Sequence, residues 1–201
     1  MRKRATLLLI AILAFQSILQ ARANPTWSTQ TVDKNGSTGS SSIALDSNNN
    51  PHIAYGAYEN GYYRNPHYVM YASWNSSEWI IENVTQGGGT IDLALDRNDN
   101  PHIIFNDESR LLYASRNLTG WNIQIVDNGF SGSLALDSAG NPHIAYLNVG
   151  NALKYASWTE TGWHIQTIDS SQIFQYTLSL ALDSNVLSQL ANVTLLFLVP
   201  A

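Results

Sequence analysis

The sequence contains no cysteine, which excludes disulfide bonds, so the folded chain must be stabilised by packing. Basic residues are also scarce, since ten Lys and Arg stand against fifteen Asp and Glu, and four of the ten precede residue 24. From residue 24 onward the chain has six Lys and Arg and a net charge near −9. This balance disfavours nucleic-acid binding, because that affinity comes largely from Lys and Arg that neutralise phosphates.

Long hydrophobic runs are confined to the N-terminus. Residues 2–4 are basic, residues 5–19 are apolar, and Ala21-Arg-Ala23 has the small-x-small form of a cleavage site. This order predicts a signal peptide over residues 1–23 and a secreted or cell-surface chain over residues 24–201. The run is short of the roughly 20 residues that a membrane-spanning helix needs, and residues 193–199 are shorter still. We therefore expect no stable membrane span after cleavage.

A sequence motif that occurs three times dominates the rest of the chain. It has an apolar triplet ending in Asp, then an Asn-Pro-His turn and a second apolar segment. The copies are Ser42-Ile-Ala-Leu-Asp46 with Asn50-Pro-His-Ile-Ala-Tyr55, Asp92-Leu-Ala-Leu-Asp96 with Asn100-Pro-His-Ile-Ile-Phe105, and Ser133-Leu-Ala-Leu-Asp137 with Asn141-Pro-His-Ile-Ala-Tyr146. A fourth copy begins at Ser179 and stops at Asp183. The steps from Asp to Asp are 50, 41 and 46 residues, a spacing typical of solenoids and propellers.

Each copy divides into four short apolar segments separated by Asp, Asn, Gly and Pro. The third segment contains Tyr-Ala-Ser and the fourth begins with Trp, as in Tyr155-Ala-Ser-Trp158 followed by Trp163. Short segments with turn residues between them indicate β-hairpins, so the sequence predicts an all-β protein. The first segment is apolar on both faces, whereas apolar and polar residues alternate along the fourth. This difference is expected of a four-stranded antiparallel blade whose inner strand is buried and whose outer strand has one face exposed to solvent.

We therefore expect β-propeller blades over about residues 42–84, 91–126 and 132–168, with a partial blade over 177–201. These phrases resemble tandem propeller repeats of secreted prokaryotic proteins, in the style of the NHL and BNR (sialidase-like) groups. The resemblance covers residues 27–183 and is good at Leu134-Ala-Leu-Asp-Ser-Ala-Gly-Asn141. The strict Asp-box, Ser-x-Asp-x-Gly-x-Thr-Trp, is absent. The resemblance therefore implies a fold group and no catalytic family.

The ends of the repeat array leave two alternatives open. Residues 27–33, Trp27-Ser-Thr-Gln-Thr-Val-Asp33, align with Trp163-His-Ile-Gln-Thr-Ile-Asp169 and predict a fourth strand that completes the last blade. The pattern is lost after Asp183, where an apolar tail follows. The favoured hypothesis is a fragment of a larger propeller whose reading frame is broken or truncated, and the alternative is a small four-bladed ring.

Residues identical in every copy are interpreted as structural. They include a turn Asp and a His at the start of the second strand: Asp46, His52, Asp96, His102, Asp137 and His143. The alternating oxygen ligands Asp46, Asn48 and Asn50 resemble the start of a calcium loop. Proline stands where such a loop needs glycine, and Ala139 replaces the middle ligand in the third copy, so turn capping is favoured. We expect no metal and no cofactor.

Residues that differ between copies are the candidates for ligand binding. An insertion in the first copy is rich in rings and planar polar groups that suit sugars or a protein partner: Tyr58, Tyr62, Tyr63, Arg64 and His67. The position after Tyr-Ala-Ser also varies, as Trp74, Arg116 and Trp158. Two purely structural alternatives remain. The insertion can be a solvated hairpin tip, and the tryptophans can be packed between blades.

Three hypotheses on function remain. The favoured one is an exported, non-catalytic module that binds glycans or a cell-surface protein through propeller loops. The second is a sialidase-like glycoside hydrolase or lyase, for which the arginines and the adjacent pair Asp107 and Glu108 are poorly placed. The third is a structural envelope or adhesin segment that associates with further copies of its repeat. Five Asn-x-Ser/Thr sites are compatible with a glycoprotein: Asn35, Asn75, Asn83, Asn117 and Asn192.

Overall fold

A computed structural model describes residues 28–34, 38–58, 67–171, 178–182 and 193–195, with side chains except at Thr38, His67 and 193–195. The described residues form strands and turns only, which confirms the all-β prediction. The strands are β1 (Thr38–Leu45), β2 (Pro51–Tyr58), β3 (His67–Trp74), β4 (Trp79–Gln86), β5 (Gly88–Leu95), β6 (Pro101–Asp107), β7 (Arg110–Asn117), β8 (Gly120–Leu136), β9 (Pro142–Asn148), β10 (Leu153–Thr159), β11 (Gly162–Asp169), β12 (Leu180–Leu182) and β13 (Val193–Leu195). The predicted signal peptide lies outside the described residues.

The strands form three antiparallel sheets. One sheet has the order β1-β2-β3-β4, a second has the order β11-β10-β9-β8-β7-β6-β5, and β12 pairs with β13. Strand β8 serves twice, because residues 120–128 pair with β7 and residues 129–136 pair with β9. The molecule thus contains three four-stranded repeat units: unit 1 (β1–β4), unit 2 (β5–β7 and residues 120–128) and unit 3 (residues 129–136 and β9–β11).

Units 2 and 3 share the continuous strand β8 and therefore form one sheet, whereas the sequence predicted separate blades. Glycines make this junction possible. A Cβ on Gly129 would lie 2.7 Å from the Leu147 carbonyl oxygen, and one on Gly132 would lie 2.9 Å from Ile104 Cδ1. Across the described strands the sheets remain open and close into neither a barrel nor a ring, so the propeller stays a prediction.

The core lies between consecutive units. Val69 and Tyr71 of unit 1 pack with Leu93 and Phe105 of unit 2 in one cluster. A second cluster joins the equivalent residues of units 2 and 3, among them Leu111, Tyr113, Leu134 and Tyr146. Each unit therefore buries its apolar side chains against the next unit, which is the arrangement that stabilises repeat proteins.

The Asp that ends each inner strand caps the following turn. Asp46 Oδ1 accepts backbone N–H bonds from Asn48 at 2.8 Å and Asn50 at 2.7 Å, and Oδ2 accepts the Asn50 side-chain amide at 3.0 Å. Asp96 and Asp137 make the same three bonds in their own turns. The hydrogen bond from the Asn50 side chain is the largest cause that lowers the pKa of Asp46. A carboxylate filled by N–H donors fits turn capping better than calcium ligation.

The two ends of the array are partly described. The Leu180 amide donates to Ser133 Oγ at 3.2 Å, so β12 lies beside unit 3 where the inner strand of a fourth unit would stand. At the other end, Asp33 accepts a bond from the Tyr55 hydroxyl at 2.9 Å. A strand was predicted over residues 27–33, of which the structure describes 28–33, and no described strand pairs with these residues. In the described part of the chain, no helix is long and apolar enough to cross a membrane.

Candidate binding grooves between repeat units

Each unit contains a buried trio of Asp, His and Tyr. In unit 1, His52 Nε2 lies 3.6 Å from Asp46 Oδ2, and His52 Nδ1 is hydrogen-bonded to the Tyr71 hydroxyl. The same trios recur in the other units as Asp96–His102–Tyr113 and Asp137–His143–Tyr155. The sequence analysis interpreted the Asp and the His as structural and missed the Tyr. The Tyr of every Tyr-Ala-Ser phrase was the available signal.

Burial favours the neutral forms of Tyr71, Tyr113 and His102. Burial raises the pKa of Tyr113 to about 12 and raises the pKa of Tyr71 above its usual range. Burial also lowers the pKa of His102, although the Asp96 carboxylate opposes that shift. A neutral His whose Nε2–H faces Asp leaves Nδ1 free to accept from Tyr. These trios therefore join the second and third strands of each unit through a His–Tyr bond.

Consecutive units meet through an edge-to-face contact of aromatic rings. Tyr71 of unit 1 meets Trp121 of unit 2 at 5.3 Å between ring centroids and 74° between planes. Tyr113 of unit 2 meets Trp163 of unit 3 at 5.3 Å and 79°. Aromatic pairs favour this edge-to-face arrangement. Two equivalent inter-unit sites are therefore built on the same ring contact.

The site between units 1 and 2, here called the Arg site, is spanned by an ion pair. Arg116 donates from Nε at 3.0 Å and from Nη2 at 2.9 Å to the Glu82 carboxylate. The Trp121 indole N–H donates to the same carboxylate at 3.3 Å. Arg116 was predicted to bind a ligand, but here its guanidinium is engaged by the neighbouring unit.

The site between units 2 and 3, here called the Trp groove, is open. It has a volume of about 250 Å³ and is lined mainly by neutral side chains: Tyr113, Ser115, Gln124, Asn141, Pro142 and Trp158. Trp158 takes the place of Arg116, and Gln124 takes the place of Glu82. The groove thus presents an aromatic ring beside amide and hydroxyl groups.

An unsatisfied donor lies in the aromatic cluster that includes Trp158 of the Trp groove. Trp158 meets Trp163 at 5.2 Å and 76°, so both indoles belong to the same aromatic cluster. The Trp163 indole N–H is buried and has no acceptor among the described residues, whereas the equivalent Trp121 donates to Glu82. At the position of Glu82 the Trp groove has Gln124, whose amide oxygen can accept but makes no bond to the Trp163 indole N–H here.

The structure does not gather the other predicted ligand residues at one place. Tyr58 and His67 are register partners at one end of β2 and β3. Trp74 stands at the other end of β3, roughly 23 Å away at the usual rise of a strand. It packs on Trp79 at 5.4 Å. Tyr62, Tyr63 and Arg64 lie outside the described residues.

Sequence reasoning also missed a carboxylate that joins three inner strands. Asp92 Oδ1 accepts from Ser42 Oγ at 2.9 Å, and Oδ2 accepts from Ser133 Oγ at 3.2 Å and from the Leu134 amide at 2.8 Å. Serine holds this position in the other three copies, and that difference was the signal. Its donors come from units 1 and 3, so Asp92 links the units.

The adjacent acidic pair considered for catalysis lies at the turn between β6 and β7. Asp107 forms an ion pair with Arg110 on the same hairpin, and Glu108 has a positive φ of 52°. Within the described ranges, no group of three His, Asp or Glu side chains is arranged to hold a metal ion.

No protein-family model and no curated protein sequence matches this chain. Among solved structures, the chain is similar to a fucose lectin from Kordia zhangzhouensis in complex with methyl-fucoside. The identity is 16%, the TM-score is 0.44, and the match covers 64% of this chain and 99% of the lectin. A TM-score this low leaves the function to be argued from the residues of this chain.

Proposed function

We propose that this protein is an exported, non-catalytic module that binds carbohydrate in the Trp groove. The observation that carries the proposal is the groove itself, where the half-buried Trp158 ring stands beside Ser115, Gln124 and Asn141. The equivalent site between units 1 and 2 lacks this surface, because Arg116 and Glu82 pair across it. Binding is therefore expected at one of the two inter-unit sites.

The chemistry of the groove suits a neutral sugar. One face of a pyranose ring is apolar and can lie on an indole, while amides and hydroxyls bond the sugar hydroxyls. Small-molecule sites are typically apolar with a few convergent polar groups. The described lining contains no charged side chain, so a carboxylated or sulfated sugar would find no ion-pair partner. A volume of about 250 Å³ suits one terminal residue of a glycan.

The propeller is part of the same proposal. Three four-stranded antiparallel units that pack face against face through equivalent residues support consecutive blades. The leader over residues 1–23 supports export. In this arrangement the Trp groove opens between two blades, and the blade contact itself holds the ligand-binding side chains.

Non-catalytic binding is supported by the state of the nearby ionisable groups. Hydrolysis of a glycosidic bond ordinarily needs two carboxyl groups about 5 to 9.5 Å apart that can act on the sugar. The carboxylate nearest the Arg site, Glu82, is engaged by Arg116 and Trp121. Tyr113, which lines the Trp groove, has a pKa of about 12 because it is buried, so its hydroxyl stays protonated at neutral pH.

The proposal is tested on an array of neutral and acidic glycans, with the wild-type chain and two variants. We expect binding to neutral glycans by the wild type, loss of binding by Trp158→Ala, and retention by Trp74→Ala. Trp74 is the matched control because it forms the same kind of cross-strand tryptophan pair outside the groove. Equal signals from wild type and Trp158→Ala, or binding confined to acidic glycans, would contradict the proposal.

A further inference from the structure

The array of units has an uncovered apolar face at its beginning. We call the side of a unit that faces the preceding unit its front face. On unit 1 this face contains Ile43 and Leu45, which are 63% and 59% exposed. The residues equivalent to Ile43 in the following copies are buried, with exposures of 6% at Leu93, 7% at Leu134 and 8% at Leu180. The same repeat position is therefore buried in three copies and exposed to solvent in the first.

The molecule already shows what covers a front face. Between units 1 and 2, Ala44 on the back of β1 packs against the buried cluster that contains Leu93. In the next cluster, Ala94 on the back of β5 packs with Leu134 and its neighbours. A small residue at the centre of an inner strand thus lets the next unit approach closely. The fourth copy has the equivalent residue, Ala181 in β12, and it is exposed.

The two ends of the repeat array carry complementary parts of one unit. Asp33 accepts from Tyr55, just as Asp127 at the end of the outer strand of unit 2 accepts from Tyr146 at 2.6 Å. Residue Asp33 thus covers the outer part of the front face of unit 1 and leaves Ile43 open. At the other end, β12 and β13 stand where inner strands belong. Together the two ends would supply the inner and outer parts of one more unit.

From these observations we infer that the front face of unit 1 is an interface for a second copy of this chain, whose β12 covers Ile43 and Leu45. The occupant is a second copy, because within one chain both Ile43 and Ala181 remain exposed. The contact joins different surfaces of the two copies, so the association is head-to-tail and propagates into a ring or a chain. It repeats a contact that the molecule makes twice internally, and it is independent of the proposed sugar site.

The association is tested by sedimentation of the full mature chain over a range of concentrations. We expect the wild type to self-associate with rising concentration. Ile43→Asp buries a charge in the contact and should weaken the association constant by more than about 100-fold. Ala181→Trp obstructs the opposite surface and should weaken it similarly. Leu118→Asp is the control, because Leu118 is fully exposed on a hairpin away from both surfaces and its variant should associate as the wild type does.

Mixing the two variants distinguishes a head-to-tail contact from a symmetric one. Ile43→Asp retains an intact β12, and Ala181→Trp retains an intact front face, so an equimolar mixture should form a heterodimer that neither variant forms alone. A wild type that stays monomeric at every concentration, as after closure within one chain, would overturn the inference. So would a mixture that stays monomeric, or either variant associating like the wild type.

Discussion

The Arg site and the Trp groove share a scaffold and differ at the rim. Both rest on a Tyr–Trp contact at 5.3 Å and on a buried His–Tyr bond. At the rim, one has the Arg116–Glu82 ion pair and the other has Trp158 beside Gln124. Two exchanged side chains thus separate a site spanned by an ion pair from a groove lined by an aromatic ring and neutral polar groups. The comparison indicates that repeated residues hold the units together and that exchanged residues decide what the surface between them can bind.

The largest expected effect tests whether the scaffold is common to both sites. Tyr71→Ala and Tyr113→Ala each remove a buried ring, so each should lower the free energy of unfolding by about 3–5 kcal/mol. Tyr113→Phe keeps the ring and loses the bond to His102, which should cost about 1–2 kcal/mol. Urea denaturation measures all three. A loss at one tyrosine and none at the other would show that the two sites are built differently.

The next effect exchanges the rims. Gln124→Glu with Trp158→Arg copies the Arg site into the Trp groove, and sugar binding should weaken by at least about 2 kcal/mol, as for the loss of a central aromatic contact. The reverse pair, Glu82→Gln with Arg116→Trp, should create a second groove. Titration calorimetry with the strongest neutral glycan from the array then gives two sites per chain. If the stoichiometry stays at one, the rim residues do not suffice to make a groove.

Single exchanges of the acidic residue should move stability in opposite directions. Gln124→Glu replaces the amide by a charged acceptor for the unpaired Trp163 indole N–H and should stabilise the fold by about 1 kcal/mol. Glu82→Gln weakens the bonds to Arg116 and Trp121 and should destabilise it by about 0.5–1 kcal/mol, since the Arg116 side chain is 44% exposed. Thermal unfolding measured on both variants checks the signs. Shifts of the same sign would refute the comparison of the two indoles.

The smallest effect is on pH dependence. Because burial lowers the pKa of His102 below 6.5, the unfolded chain binds the proton more readily, and stability falls as pH drops below 6.5. Although burial raises the pKa of Asp96 and Asp137, hydrogen bonds from Asn100 and Asn141 outweigh it and leave both below 3.8. Their contribution is present above that pH and is lost as pH falls further. His102→Gln should remove the first decline only, which urea midpoints from pH 7.5 to 3 would reveal.

Local chemistry made much of the fold predictable. The turn at Asp46 follows from Asp and Asn at fixed offsets, and the strands follow from short apolar segments between such turns. The contacts between units were less accessible, because Arg116 and Glu82 are 34 positions apart and nothing local pairs them. Gln124 was missed for the same reason. An inner strand packed on both faces was expected in every unit, yet Ile43 is exposed because no described unit precedes it.

Sugar binding in the Trp groove is tested by following the indole N–H signals of the six tryptophans by NMR during titration with the strongest neutral glycan from the array. Assignment by single substitution identifies each signal. We expect the signals of Trp158 and Trp163 to shift with a common saturation curve while those of Trp74 and Trp79 stay in place. Shifts confined to Trp74 and Trp79, or a bound glycan that leaves Trp158 unmoved, would contradict this expectation.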